Sequence, residues 1–168
     1  EVDRLERDAE GRVTTVSLRG DPPAAIGTGH VVLTAGAGNA ALRRTAGLDD
    51  SNMQRRPLHM VMARGDLPAI NGHCVDGMST RVTITSDRDR RGRVVWQIGG
   101  QVAEDGVSMD ARELIRHVRD ELTAVCPGLT LDGVAWSTYR VDRAEGRDAR
   151  GRRPDDATVS VDANVVSA

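Results

Sequence analysis

The sequence predicts an α+β fold, a mixed and largely antiparallel sheet with one main amphipathic helix packed on it, plus a hairpin and a strand from a second domain. Short segments of alternating apolar and polar residues recur along the chain, as in half-buried strands. One long segment, Ala111–Val125, has the 3.6-residue apolar spacing of a helix. With 39% hydrophobic residues among 168, the chain can bury a core, which must be aliphatic because Phe is absent.

The first elements are a hairpin, a buried strand and a short helix. Val2–Arg7 and Arg12–Leu18 are predicted strands, because turn-forming residues lie between them. After a proline-containing loop, His30–Thr34 has the continuous apolar run of a strand buried on both faces. Asn39–Thr45 is then predicted to be a short helix with Gly47 as its C-cap.

The middle of the chain predicts the main sheet and its helix. Pro57–Ala63 is a predicted strand, and Arg81–Ser86 with Arg93–Gly99 form the clearest hairpin, because apolar residues alternate along each. The helix Ala111–Val125 begins with a capping-box pattern at Asp110, where a glutamate follows three residues later.

The last third of the chain predicts a strand, a loop and a second hairpin. Val134–Val141 is a predicted strand. Arg143–Asp156 mixes both charge signs with Gly and Pro, which is typical of a solvated loop. Ala157–Val161 is expected to pair with Asn164–Ser167 through a two-residue turn.

Charge and composition exclude several classes of function. The net charge of −2 provides no electrostatic attraction for nucleic acid, and the two Trp and one Tyr are too few to stack single-stranded bases. No apolar run approaches the roughly 18–20 residues of a membrane span. Cys74 and Cys126 are far apart, form no CxxC motif and follow no secretory signal. We therefore expect a reduced, cytoplasmic protein.

A glycine motif lies within HVVLTAGAGNAAL, residues 30–42. Gly36-x-Gly38-x-x-Ala41 matches the dinucleotide-binding fingerprint with alanine in the last place. That fingerprint opens its domain and is followed by a longer helix, whereas here a hairpin precedes the motif and the helix has about two turns. The alternative is a strand end that needs small residues because another backbone or a ligand packs closely. Such an end is compatible with a cofactor near Ala35–Gly38 that has its main cradle elsewhere.

The order of these segments resembles the D-amino-acid oxidase and glycerol-3-phosphate dehydrogenase superfamily of FAD-dependent oxidoreductases. In that superfamily a meander precedes a strand that ends in a small-residue motif lying against the flavin nucleotide. The resemblance covers most of the chain, with Thr138 where the family often has Gly and Val141 where it usually has Pro. The segments that carry it are Thr34-Ala35-Gly36-Ala37, Arg56-Pro57-Leu58, Ile98-Gly99-Gly100, the main helix, Trp136-x-x-x-Arg140, Arg153-Pro154-Asp155 and Val159–Val166.

The resemblance implies an enzyme with a hydride-accepting FAD and a small-molecule substrate, and it divides the chain into three parts. Residues 1–48 would be a partial FAD-binding segment, 49–145 the substrate-binding domain, and 146–168 a loop and strands that return toward the FAD domain. Because the family's amino-terminal GxGxxG unit and its last flavin-contacting segment are absent, FAD is expected in the full-length protein rather than in this chain alone. The remainder of its own polypeptide is then the expected partner, and the oligomeric state stays open.

The resemblance also implies candidate site residues. Arg140 would face the substrate, and a guanidinium suits a carboxylate or phosphate because it binds both oxygens. His59 and His73 are further candidate substrate-binding residues, as polar groups near the flavin ring, with a hydrogen-bonded structural role as the alternative. Ala35, Gly36, Ala37 and Gly38 would contact the cofactor. We assign no acid or base, and no metal site, because the spacing of the histidines with Cys74 fits no common zinc pattern.

Three interpretations remain open, of which the third, a complete small nucleotide-binding enzyme, rests only on the glycine motif. In the first, the chain is part of an FAD-dependent oxidoreductase that oxidises an amine, an amino acid or a glycerol-phosphate-like substrate. In the second, it is a non-catalytic α+β domain that binds a partner. The chain starts without Met in a strand-like segment and stops within an apolar run, so we expect it to be a piece of a longer protein.

Overall fold

A computed structural model of the chain describes residues 1–51, 53–77, 79–147 and 159–168. The chain divides into two compact units, one formed by Glu1–Arg56 with Arg143–Ala168 and the other by Pro57–Asp142. The described strands are β1 (Val2–Arg7), β2 (Val13–Leu18), β3 (Ala24–Gly27), β4 (Val31–Leu33), β5 (Met53–Gly65), β6 (Gly72–Asp76), β7 (Ser79–Arg88), β8 (Val94–Gly99), β9 (Ala135–Gly146), β10 (Ser160–Asp162) and β11 (Val165–Ser167). The α-helices are α1 (Asn39–Thr45), α2 (Gln101–Asp105) and α3 (Ala111–Val125), and 3-10 turns cover Gly36–Gly38 and Gly106–Ser108.

The first unit contains two three-stranded sheets. One is antiparallel in the order β1-β2-β3, and the other has the order β10-β11-β4, in which β11 runs parallel to β4. A small aliphatic core joins the elements of this unit, because each sheet and α1 contribute apolar side chains to it. Its buried members are Leu5, Val13, Leu33, Ala46 and Val165.

Two buried polar side chains complete this small core. The Asn164 amide accepts a hydrogen bond from Val13 N and donates to Val13 O, both at 2.7 Å, so it links β2 to the turn before β11. The guanidinium of Arg43 is 3% exposed, donates to Ser167 Oγ at 2.7 Å and lies 3.0 Å from Asp162 Oδ2. Because buried polar groups are costly without partners, these bonds determine how α1 and the last strands pack.

The expectation for His30–Thr34 was wrong in one respect. The strand is only Val31–Leu33, and Val32 is 65% exposed while Leu33 is buried. The core of this unit covers one face of the three-stranded sheet, so side chains on the alternate face are exposed. An apolar run cannot distinguish a strand buried on both faces from one covered on a single face.

The second unit is a five-stranded sheet, in the order β6-β7-β8-β5-β9, with α3 packed on it. The apolar stripe of α3, Leu114, Val118 and Leu122, is fully buried, and each such side chain stabilises the fold by about 1.5–3 kcal/mol. Trp96 on β8 is also fully buried, and its Nε1 donates to Pro68 O at 2.7 Å. The strands of this sheet and helix α3 therefore contribute side chains to the same core.

The predicted α+β class, largely antiparallel with one main amphipathic helix, is confirmed. The hairpin of β7 and β8 has the expected alternation, and α3 has the predicted bounds. Its capping box is present, because Asp110 accepts hydrogen bonds from the backbone of Arg112 and Glu113 while Glu113 accepts one from Asp110 N. Predicting this helix required only a local motif and an apolar stripe.

Several elements differ from expectation. Strands β3 and β6 and the short helix α2 were not predicted, because none has a clear apolar period. The prediction of a loop over Arg143–Asp156 was wrong for its first residues, since β9 continues to Gly146. Glu145 explains the continuation: its largely buried carboxylate accepts from Gln54 Nε2 at 3.1 Å and lies 2.9 Å from Arg56 Nε. Residues 148–158, which include Arg153-Pro154-Asp155, lie outside the described residues.

The backbone conformation of Gly100, between β8 and α2, predicts that a substitution there lowers the stability of the fold. Its φ of 86° and ψ of −152° lie in a region that only glycine adopts readily, and a Cβ there would lie 2.8 Å from Thr80 O and 3.1 Å from Thr83 N. Because backbone atoms cannot move aside, we expect Gly100→Ala to lower the free energy of unfolding by roughly 2–5 kcal/mol. Urea denaturation measures this change. Gly72→Ala in the same sheet is the control, since its Cβ would meet nothing within 4 Å, and equal effects of the two substitutions would contradict the prediction.

Candidate functional site

The turn Gly106–Ser108 is the centre of the candidate site in the second unit. It follows α2 and comes just before the N-cap of α3; Gly106 O accepts the 3-10 bond from Met109 N at 3.0 Å, and carbonyl groups in and beside the turn accept further hydrogen bonds. Side chains from two neighbouring strands supply the donors. His59 on β5 lies with Nδ1 3.0 Å from Gly106 O, and Arg140 on β9 donates to Val107 O at 2.8 Å and to Met109 O at 2.9 Å. Two of the predicted site residues therefore meet at one turn.

The hydrogen bond of His59 determines its tautomer. A carbonyl oxygen only accepts, so the Nδ1 that faces Gly106 O must carry the hydrogen of this bond. The side chain is 4% exposed, and it is held between its strand and the turn. The contact with Gly106 O is the kind of hydrogen bond that a structural role for His59 requires. A role toward substrate remains a prediction.

Arg140 is exposed although its guanidinium is anchored. The two carbonyl contacts use two of the five N–H groups of the guanidinium. Both acceptors are backbone atoms and neutral, so the positive charge is oriented without being neutralised by a carboxylate at these contacts. A guanidinium oriented in this way is suited to an anionic ligand.

His73 is separate from this pair. It lies on β6, is exposed, and its Nδ1 is 2.9 Å from Thr83 Oγ1 on the neighbouring strand. Two strands, β7 and β8, lie between β6 and β5, which corresponds to about 14 Å at the usual strand spacing. The structure therefore brings His59 and Arg140 together and leaves His73 on another part of the sheet. Within the described ranges, no group of three or more His, Cys, Asp or Glu side chains is arranged to hold a metal ion.

The role of the turn Gly106–Ser108 was not predicted from the sequence. Gly106 is buried, and a Cβ on it would lie 2.6 Å from Leu114 Cδ1 and 3.3 Å from His59 O, so only glycine fits between α3 and β5. The sequence signal was a glycine shortly before a capping box, which is too common to identify a site. Asp110, the N-cap, has its pKa lowered by hydrogen bonds from the backbone N–H groups of Glu113 and Arg112.

Ala35–Gly38, the predicted cofactor-contacting segment, lies in the first unit. It follows β4 and is fixed by Asn39, whose buried amide accepts from Ala35 N at 2.6 Å and donates to Leu33 O at 3.2 Å and Ala168 O at 2.8 Å. Ala35, Gly36 and Ala37 are exposed, and no side chain in the segment is larger than a methyl group.

This surface fits the side of a flat group better than it fits a phosphate cradle. A Cβ on Gly36 would meet nothing within 4 Å, so the space over the turn is open. Helix α1, which follows, has seven residues, and the complete dinucleotide fingerprint requires a longer one. The residues present could thus form one wall for a cofactor such as FAD, while its main binding groups would have to come from elsewhere.

Comparison with known proteins supports the resemblance that the sequence predicted. The chain is 46% identical over 131 residues to a probable FAD-dependent oxidoreductase of Pseudomonas aeruginosa, an alignment that covers 76% of this chain and 34% of that protein. The crystal structure of an FAD-dependent oxidoreductase from the same organism aligns with a TM-score of 0.82 and 38% identity, over 98% of this chain and 45% of that one. No protein-family model matches the chain.

Two further crystal structures share the fold. L-proline dehydrogenase from P. horikoshii aligns with a TM-score of 0.58 at 15% identity, and glycine oxidase from Bacillus cereus with 0.53 at 14%. Each alignment covers 99% of this chain and 43% of the other. At such identities the likeness concerns the fold alone. The predicted resemblance is confirmed, and the chain spans about a third of the length of the curated relative, 34%.

No helix among the described residues is long and apolar enough to cross a membrane.

The lowered pKa of Asp110 predicts how stability depends on pH. A carboxylate whose pKa is lowered by folding contributes stability above its unfolded pKa of about 3.9, and this is lost as the pH falls through the folded value. Asparagine caps a helix almost as well but does not titrate. We therefore expect the advantage of the native chain over Asp110→Asn, measured as the difference in Tm, to shrink between pH 7 and about pH 3. Asp120→Asn, on the exposed side of the same helix, is the control. A difference in Tm that is the same at every pH would contradict the assignment.

Proposed function

We propose that this chain, which is similar over most of its length to part of an FAD-dependent oxidoreductase, supplies the substrate-binding domain of a D-amino-acid-oxidase-like enzyme and an accessory part of its FAD-binding domain. The second compact unit, Pro57–Asp142, would have the substrate role, and the first unit would have the cofactor role. These limits lie several residues inside the predicted domain 49–145.

The proposed reaction is the oxidation of a C–N or C–O bond in an amine, an amino acid or a glycerol-phosphate-like compound. FAD, when bound, accepts the hydride that leaves the substrate carbon. Such chemistry requires the protein mainly to orient the substrate and exclude water, so the lack of an obvious acid–base pair agrees with it.

The observation that carries the proposal is the anchored guanidinium of Arg140. With NH1 on Val107 O and NH2 on Met109 O, the group cannot rotate freely, and its remaining N–H groups would bind the substrate's carboxylate or phosphate. His59 would keep the turn in place through Gly106 O. His73 is a weaker candidate, because it is remote from this pair in the sheet.

The cofactor role of Ala35–Gly38 is supported by its small, exposed side chains and by the open space over Gly36. These residues would pack against one face of FAD without binding its charge. The main phosphate-binding groups would belong to the remainder of the polypeptide, so FAD binding requires the full-length protein.

The first experiment is spectroscopic. We expect the purified full-length protein to be yellow with flavin absorbance, and we expect that absorbance to bleach anaerobically on addition of one member of a panel of amino acids, amines and glycerol phosphates. The bleaching measures substrate oxidation without reference to an electron acceptor. A colourless protein that binds no added FAD would contradict the proposal and favour a non-catalytic α+β binding domain.

Substitution of Arg140 tests the substrate role. Charge-assisted hydrogen bonds contribute about 1.5–3 kcal/mol, so Arg140→Gln should weaken binding of an anionic substrate by roughly 10–100-fold, measured as KM or as the dissociation constant in anaerobic titration. Flavin content should not change. Arg90→Gln, at an exposed arginine of the β7–β8 turn, is the matched control. An Arg140→Gln protein with unaltered KM for its best substrate would overturn the assignment.

Enlarging the small-residue segment tests the cofactor role. We expect Ala37→Leu to reduce the FAD content of the purified protein, because the added methyl groups would occupy space against the cofactor. Ala25→Leu, at an exposed strand position of the same unit, should leave FAD content unchanged. Full FAD occupancy in Ala37→Leu would place the cofactor away from this turn.

A further inference from the structure

The two cysteines, which are far apart in sequence, line the same cleft. Cys74 lies on β6 and Cys126 immediately follows α3, and both are free and half-buried. The cleft has a volume of about 380 Å³, and its walls are mainly apolar, with Val82 and Ile84 on one side and Val125 on the other.

Strand register explains why Cys74 faces this cleft. Cys74 pairs with Val82, and Gly72 pairs with Ile84, across the antiparallel strands β6 and β7. Directly paired side chains lie on the same face of a sheet, and Val82 and Ile84 are buried in the core that α3 covers. Cys74 therefore lies on the helix side of the sheet and packs against that core. Gly72 has no side chain beside Ile84, which leaves the space of the cleft.

The end of α3 forms the opposite wall. Cys126 N donates to Leu122 O at 2.9 Å, so the backbone of this residue completes the last helical turn and its position is fixed by the helix. Since β6 is the edge strand of the sheet, the cleft is open to solvent on that side. Both thiols are thus half-buried at a cleft that a small reagent can enter.

We propose that Cys74 and Cys126 form a redox pair that a hydroperoxide converts to a disulfide. One thiolate sulfur attacks an oxygen of the O–O bond, which breaks, and the other oxygen leaves as water or an alcohol. The resulting sulfenic acid is attacked by the second thiol, the S–O bond breaks, the S–S bond forms and a water molecule leaves. The two thiols are oxidised by two electrons in total, and the hydroperoxide is reduced by two.

The disulfide would connect the edge strand β6 to the end of α3. This closes the open side of the cleft and restrains the strand that otherwise has a neighbour on one side only. The pair is independent of the proposed oxidoreductase reaction, because it uses neither Arg140 nor the small-residue turn. Its failure and the failure of the proposed function are therefore separable.

The test is peptide mapping of the full-length protein treated with hydrogen peroxide, denatured in a thiol-blocking reagent and digested without reductant. Trypsin cleaves after arginine, so the two cysteines fall on the peptides Gly65–Arg81 and Asp120–Arg140. We expect these two peptides to be recovered joined, with a mass two hydrogens below their sum, in proportion to the peroxide added up to one equivalent. Dithiothreitol should restore both thiols.

Single serine variants are the controls. In Cys74→Ser and in Cys126→Ser the joined peptide must disappear, and the remaining cysteine should be trapped by dimedone as a sulfenic acid in at least one of the two proteins. Circular dichroism verifies that both variants fold. Oxidation of each thiol separately to sulfinic acid in the native protein, or joining of either peptide to some other cysteine, would overturn the proposal.

Discussion

The hydrogen bonds made to the 3-10 turn before α3 are the interactions around which the candidate site of the second unit is organised. The turn Gly106–Ser108 connects α2 to the capped start of α3, and carbonyl groups in and beside it accept hydrogen bonds from side-chain donors in addition to the backbone bond from Met109 N to Gly106 O. His59 and Arg140 provide them from neighbouring strands of the sheet. The same contacts orient the guanidinium of Arg140 at the protein surface, where we propose that it binds an anionic substrate.

The first unit is organised in a comparable way by buried polar side chains rather than by a large apolar core. Asn39, Arg43 and Asn164 are nearly inaccessible, and each bonds to backbone or side-chain atoms of segments distant in sequence. Asn39 in particular fixes the small-residue turn through Ala35 N and Ala168 O. This turn has only glycine and alanine side chains. It is held in place because the buried amide of Asn39 forms hydrogen bonds with the backbone around it.

Some elements followed from local patterns, and others could not. Helix α3 could be predicted from its apolar stripe and capping box, and the β7–β8 hairpin could be predicted from its alternation of apolar and polar residues. Both signals are contained in residues that are close in the sequence. Strand β6 has exposed residues at four of its five positions, and it is a strand because β7 pairs with it. Strand β9 continues past the predicted end because Glu145 accepts a hydrogen bond from Gln54 and forms an ion pair with Arg56. Both residues lie some ninety positions earlier in the sequence.

The sequence by itself determined the α+β class, the main helix and the family resemblance, and through that resemblance it proposed Arg140, His59, His73 and Ala35–Gly38 as candidate site residues. Tertiary structure alone decided that Arg140 and His59 bind one turn, that two strands separate the strand of His73 from that of His59, and that Cys74 and Cys126 share a cleft. The physical reason is that helix and hairpin signals arise between residues close in the chain. Donors and acceptors, and two thiols, meet only when strand order and helix packing bring distant segments together.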